Sequence, residues 1–161
     1  RPVHDEHKLF KMLILEGQQA GLSWQTILSK MDAMTEAYEN FDPEIVSNYD
    51  EQKIEELLSD QRVIRNRLKI KAVIKNAKAY LKLKEEYGSL DSYIWSFVKN
   101  EPIVNSWSSI EEVPARTDLS DKISKELKKK GFSFVGSTTV YAFMQSIGMV
   151  SDHLLTCDFR I

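Results

Sequence analysis

Six glycines and four prolines are spread over 161 residues. That is too few turn-making residues for the many tight connections of a β-sandwich or barrel, and enough for helices joined by short loops. The apolar pattern agrees. Leu9, Phe10, Leu13, Ile14 and Gly17 recur at helical spacing after the cap residue Asp5, predicting an amphipathic helix over residues 6–19 that Gly21 breaks. Ser23 opens a second helix, which carries Trp24, Ile27, Leu28, Met31 and Met34 and ends near Asn40. Asp42 before Pro43 starts a short helix to Val46, and Asp50 another to Leu58. Leu68, Ala72, Ile74, Ala77, Leu81 and Leu83 predict a long helix over residues 64–86, closed by Gly88. Ser89 caps the next helix. Residues 100–117, with Pro102 and Pro114, read as the longest loop, with one helical turn at Ile110. A helix begins around Asp118, includes Ile123 and Leu127, and ends at Gly131. GFSFVGS is too short for a pair of strands and fits a hairpin turn; Thr138 to Ile147 then form another helix, closed by Gly148. The expected fold class is all-α.

With 42% hydrophobic residues, the chain is long enough for one compact domain or two small lobes folding together. The single cysteine, Cys157, excludes an intrachain disulfide and suits a reducing compartment. No run approaches the ~20 apolar residues of a membrane span, and no signal peptide opens the chain. These features predict a soluble, cytoplasmic protein that does not engage membranes.

A net charge of −2 argues at first against a nucleic-acid partner. Its distribution argues the other way. Residues 61–84 hold nine basic side chains and no acid, and residues 121–130 hold five lysines against Asp121 and Glu126. The two segments carry +12 and the remainder −14. A helix of one charge sign repels itself, and a polyanion could supply the counter-charge. The competing reading pairs the basic helix with the acidic stretch at residues 51–60 across a helical hairpin, and composition does not separate the two. KKKGFSFVGSTT adds a second signal: a tight turn followed by a helix N-terminus offers backbone N–H groups to a phosphate where small residues let it approach. Phe134, however, stands at the first position of the Gly-x-Gly that such a hairpin expects.

In LEGQQAGLSW, Glu16 lies on the last turns of one helix and Trp24 at the start of the next, with Gly17 and Gly21 leaving room between them. A carboxylate beside an exposed aromatic face suits a flat, electron-poor ligand with N–H donors, which would stack on Trp24 and be accepted by Glu16. Singly, each residue has a plainer reading: a solvated helical Glu, a core Trp, and surface amides at Gln18 and Gln19. His153 and Cys157 are four apart, the spacing that puts an imidazole and a thiolate on one face of a helical turn, as a zinc site needs. On spacing alone a cap histidine and an incidental buried thiol explain them as well. No glycine-rich nucleotide fingerprint, serine nucleophile elbow or paired-metal carboxylate set is present.

LEGQQAGLSW, KNAKAYL, WSFVKNEP and above all KKKGFSFVGSTTVYAFMQSIGMVSDHLLTC resemble the DNA-3-methyladenine glycosylase I family of the helix-hairpin-helix glycosylases, from about Pro2 to Cys157. The resemblance implies an all-α, two-lobed, monomeric protein that acts on double-stranded DNA containing alkylated bases. It would hydrolyse the N-glycosidic bond of N3-methyladenine and so start base excision repair. Residue by residue, it implies that Glu16 contacts the excised base and is the catalytic group, that Trp24 stacks on the base, and that Gly21 and Leu22 fill the gap in the duplex. Lys128, Lys129, Gly131, Gly136, Ser137 and Thr138 would belong to the phosphate-binding helix-hairpin-helix, about residues 119–147. His153 and Cys157 would be two of four ligands to a structural zinc. The other two ligands and a pocket tyrosine would belong to an N-terminal segment lying before Arg1, so the 161 residues read as a single domain lacking that segment. The superfamily's catalytic aspartate has no counterpart here, and Asp152 does not take its place. A non-catalytic helix-hairpin-helix DNA-binding module is the main alternative, and a helical interaction protein with a self-paired basic helix is a third.

Overall fold

The computed structural model describes residues 2–154 and 159–160. Its helices are α1 (Glu6–Gln19), α2 (Trp24–Ala37), α3 (Pro43–Val46), α4 (Glu51–Leu58), α5 (Arg67–Tyr87), α6 (Leu90–Trp95), α7 (Asp118–Lys129) and α8 (Ser137–Ser146). Local sequence sets where they start. Asp5, Ser23, Asp42, Asp50, Asn66, Ser89 and Thr117 each accept a backbone N–H of the helix they precede, a cap worth about 1 kcal/mol. Asn66 therefore sets the start of α5, three residues later than the apolar pattern suggests. Only α8, among these helices, begins without a side-chain cap, on Gly136.

The helices α1 and α5 touch each other at the centre of the packing. Helices α3, α4 and α6 pack on α5; α2, α6 and α8 pack on α1; and α7 packs on α8. One contiguous apolar core runs from Leu9 and Phe10 of α1 to Phe143 and Met144 of α8. No helix among the described residues is long and apolar enough to cross a membrane.

The structure departs from an all-helical chain at two places. Ile103–Trp107 forms a strand, β1, inside the expected long loop, and pairs in parallel with β2 (Val150–Leu154); β2 also pairs antiparallel with β3 (Phe159–Arg160). Asp152, fully buried, joins this sheet to α8. Its carboxylate accepts from Asn105 Nδ2 at 3.0 Å, Trp107 Nε1 at 2.9 Å, Tyr141 Oη at 2.8 Å and Gln145 Nε2 at 2.7 Å. Burial alone would push its pKa up, but these four hydrogen bonds together hold it below the usual carboxylate range.

Candidate functional site

Glu16 is 7% exposed, and its carboxyl group has no hydrogen-bond or ion-pair partner among the described residues. It faces a cavity of about 440 Å³, walled also by Met12, Leu15, Trp24 and Met31. Burial pushes its pKa up to about 7. Trp24, the first residue of α2, is 42% exposed although it stands on an apolar helix. The solvated Glu and the core Trp are thus both excluded, and the two side chains share one cavity, as expected.

Gly17 does not make room for that cavity. A Cβ there would lie 3.2 Å from both the Cβ and the carbonyl oxygen of Phe134, so this glycine lets α1 meet the turn between α7 and α8. Gly21 does serve its turn: its φ of +80° reverses the chain between α1 and α2, and Leu22 beside it is 37% exposed.

Residues 130–136 join α7 to α8, and the two helices pack together. Phe134 adopts a φ of +56°, so the hairpin uses the left-handed conformation that glycine would take with a phenylalanine instead. Gly131, at φ +97°, ends α7; its contribution is helix termination. Around a Cβ at Gly136 there would be open space within 4 Å. Ser137 Oγ is bonded to Ser120 Oγ at 2.7 Å and Thr138 is exposed, so the first-turn N–H groups of α8 meet no side-chain cap. Asn76 of α5 grips the turn from behind, donating to Ser133 O at 3.0 Å and accepting from Ser133 N at 2.7 Å. Lys128 is exposed, as is Lys129, which lies 3.5 Å from Glu126.

The basic helix is not a continuation of this surface. Lys71, Lys75 and Lys78 line a groove with Tyr49, Asp50 and Glu51, while Asn76, on the opposite side of α5 at ~100° per residue, faces the hairpin. Arg67 pairs with Glu51 and Glu55, and Arg62 with Asp60 and Glu36. Self-pairing with the acidic stretch is thus seen at Arg67 of this helix, while Lys71, Lys75 and Lys78 stand exposed beside that stretch.

His153 lies in β2, so a strand and not a helical turn carries it. Cys157 lies outside the described residues. His4 Nδ1 contacts Asp91 at 2.7 Å and His7 Nε2 contacts the Asn40 carbonyl at 2.6 Å, and among the described residues no group of three or more His, Cys, Asp or Glu could hold a metal. Two polar residues near the site escaped the sequence reading. Gln18 is buried, not a surface amide, and Lys69 is buried against it. The signal was present: Lys69, Asn76 and Leu83 stand seven apart, on the inner face of α5.

The methyladenine glycosylase family matches the chain over residues 1–161. A DNA-3-methyladenine glycosylase from Haemophilus influenzae is 46% identical over 98% of this chain and 85% of its own length. DNA-3-methyladenine glycosylase 1 from Escherichia coli is 45% identical over 97% of this chain and 83% of its own. The solved structure of 3-methyladenine DNA glycosylase I from Staphylococcus aureus, which addresses 3-methyladenine recognition, superimposes with a TM-score of 0.93 at 37% identity. It covers 98% of this chain and 84% of that one.

Proposed function

The chain belongs to the methyladenine glycosylase family, and from that membership we propose how its residues divide the work. The protein is a DNA repair glycosylase that hydrolyses the N-glycosidic bond of N3-methyladenine in DNA, which initiates base excision repair. The observation that carries the site assignment is the buried, unpartnered Glu16 carboxyl in a cavity shared with an exposed Trp24.

N3 methylation leaves the attached adenine cationic. When the bond from C1′ to the base breaks, its electron pair neutralises the base, and water adds to C1′ with loss of a proton. The leaving group is already good, so the pocket has mainly to extract, bind and orient. Trp24 offers an aromatic face to a cationic ring. Ionised Glu16 accepts its amine hydrogens, and the arriving positive charge favours the ionised form that burial disfavours. The first turn of α8, with Lys128 and Lys129 of α7, supplies phosphate contacts that hold the duplex without reading sequence. We further propose that the enzyme works as a monomer on double-stranded DNA.

His153 and Cys157 are proposed as ligands of a structural zinc, supported by the resemblance and by a donor set, imidazole and thiolate, that suits this ion. The test is elemental analysis of purified protein, in which Cys157→Ser lowers zinc content. The central test is release of 3-methyladenine from alkylated DNA. Wild-type protein releases it, and Glu16→Gln slows single-turnover release by at least tenfold with duplex affinity within threefold. Unchanged release in that variant removes Glu16 from the chemistry, and no release by the wild type leaves a DNA-binding module.

A further inference from the structure

The segment joining α1 to α2 is held from behind by one buried cation. Lys69, 6% exposed on the inner face of α5, donates from Nζ to the carbonyls of Gln18 at 2.7 Å and Ala20 at 2.5 Å. Gln18 returns a bond, from Nε2 to the carbonyl of Lys69 at 3.0 Å. The ammonium thus serves carbonyls at the end of α1, a helix with no basic residue of its own in the last turn. No acidic side chain pairs with Lys69 among the described residues. A buried cation answered only by neutral carbonyls is an expensive way to fill space that an apolar side chain could fill.

Past Ala20 the loop is free at its tip. Leu22 N bonds back to Gln19 O at 2.7 Å, Gly21 sits at φ +80° with nothing within 4 Å of a Cβ, and Leu22 projects toward solvent. After Leu22, Ser23 caps α2, and Ile27 and Met34 anchor that helix in the core. Trp24 is therefore placed by α2, whereas the crown of the loop depends on its foot at Gln18 and Ala20.

We propose that Lys69 is a positioning residue that sets the Gly21–Leu22 crown in the shape in which it enters the duplex, separately from the pocket that binds the base. The inference rests on the glycosylase reading above, with Gly21 and Leu22 as the residues that fill the gap in the duplex, and deepens it. A loop footed on three bonds to one residue enters stacked DNA without first being ordered, and a loop that must be ordered on entry loses that cost from the transition state.

Lys69→Met tests it with three readouts beside a melting curve: affinity for free 3-methyladenine, single-turnover release from a duplex, and fluorescence of a 2-aminopurine next to an abasic analogue, which rises when the stack is opened. The expected result is base affinity within threefold of wild type, release at least tenfold slower, and a fluorescence rise cut by more than half. Base affinity falling as much as release, or a full fluorescence rise, overturns the proposal. Should Lys69→Met melt below the assay temperature, Lys69→Gln, whose shorter neutral side chain does not serve both carbonyls, is read by the same criterion. A wild-type protein that releases no base refutes the glycosylase reading, and the fluorescence still decides for or against Lys69.

Discussion

At the scale of the residue, Glu16 combines a cost and a use. Its ordinary pKa of 4.5 rises to about 7 on burial. Between those values the unfolded chain gives up its proton while the folded one keeps it, so stability falls as pH rises through that window and levels off above it. The accumulated difference is about 3 kcal/mol. Glu16→Gln removes it: thermal melting at pH 8 should show the variant more stable than wild type, with the gap narrowing toward pH 5. Activity should run the opposite way. The methylated nucleotide is cationic without protonation, so the carboxylate is the form that binds it. In wild type kcat/KM should rise with pH through about 7, and in the Gln variant it should be low and flat.

At the scale of the element, the end of one helix and the start of another are finished differently. The end of α1 is closed by Lys69, and the start of α8 is left without a side-chain cap. Gly136→Asp places a capping carboxylate at an open position with φ −60°, so the melting temperature should hold or rise by a few degrees, the cap adding at most about 1 kcal/mol. The same carboxylate occupies the amides proposed to bind phosphate, and duplex affinity should fall by tenfold or more in a binding titration. Alanine at both Lys128 and Lys129 should weaken binding to all sequences alike and flatten the salt dependence by about one unit per lost phosphate contact. Equivalent changes at Lys71 and Lys75, which face α4, should leave that slope unchanged.

At the scale of the whole molecule, Asp152 ties together segments that lie far apart in the chain. Asp152→Ala leaves Asn105, Trp107, Tyr141 and Gln145 without their shared acceptor, and denaturant unfolding should show a loss of about 3 kcal/mol or more. Glu16 and Trp24 are separated by one short loop, and their meeting was legible because Gly21 breaks the chain after α1 and Ser23 declares the start of α2. The hairpin was legible through its glycines and its helix boundaries. Phe134 was not, because its left-handed φ is imposed by the packing of the turn against Gly17 and the grip of Asn76.

The sequence by itself determined the helices, the caps Asp5, Ser23, Asp42, Asp50 and Ser89, and the pocket pair, since these depend on residues within a turn or two of one another. Only the tertiary structure decided which way the lysines of α5 face, that Ile103–Trp107 is a strand, and that His153 sits beside it. A strand of five residues has no partner until Val150–Leu154 is brought alongside. A basic side chain, likewise, is a solvent-exposed charge, an ion-pair partner or a buried clamp according to what the fold sets against it, and Lys128, Arg67 and Lys69 would each have read alike as one more positive charge.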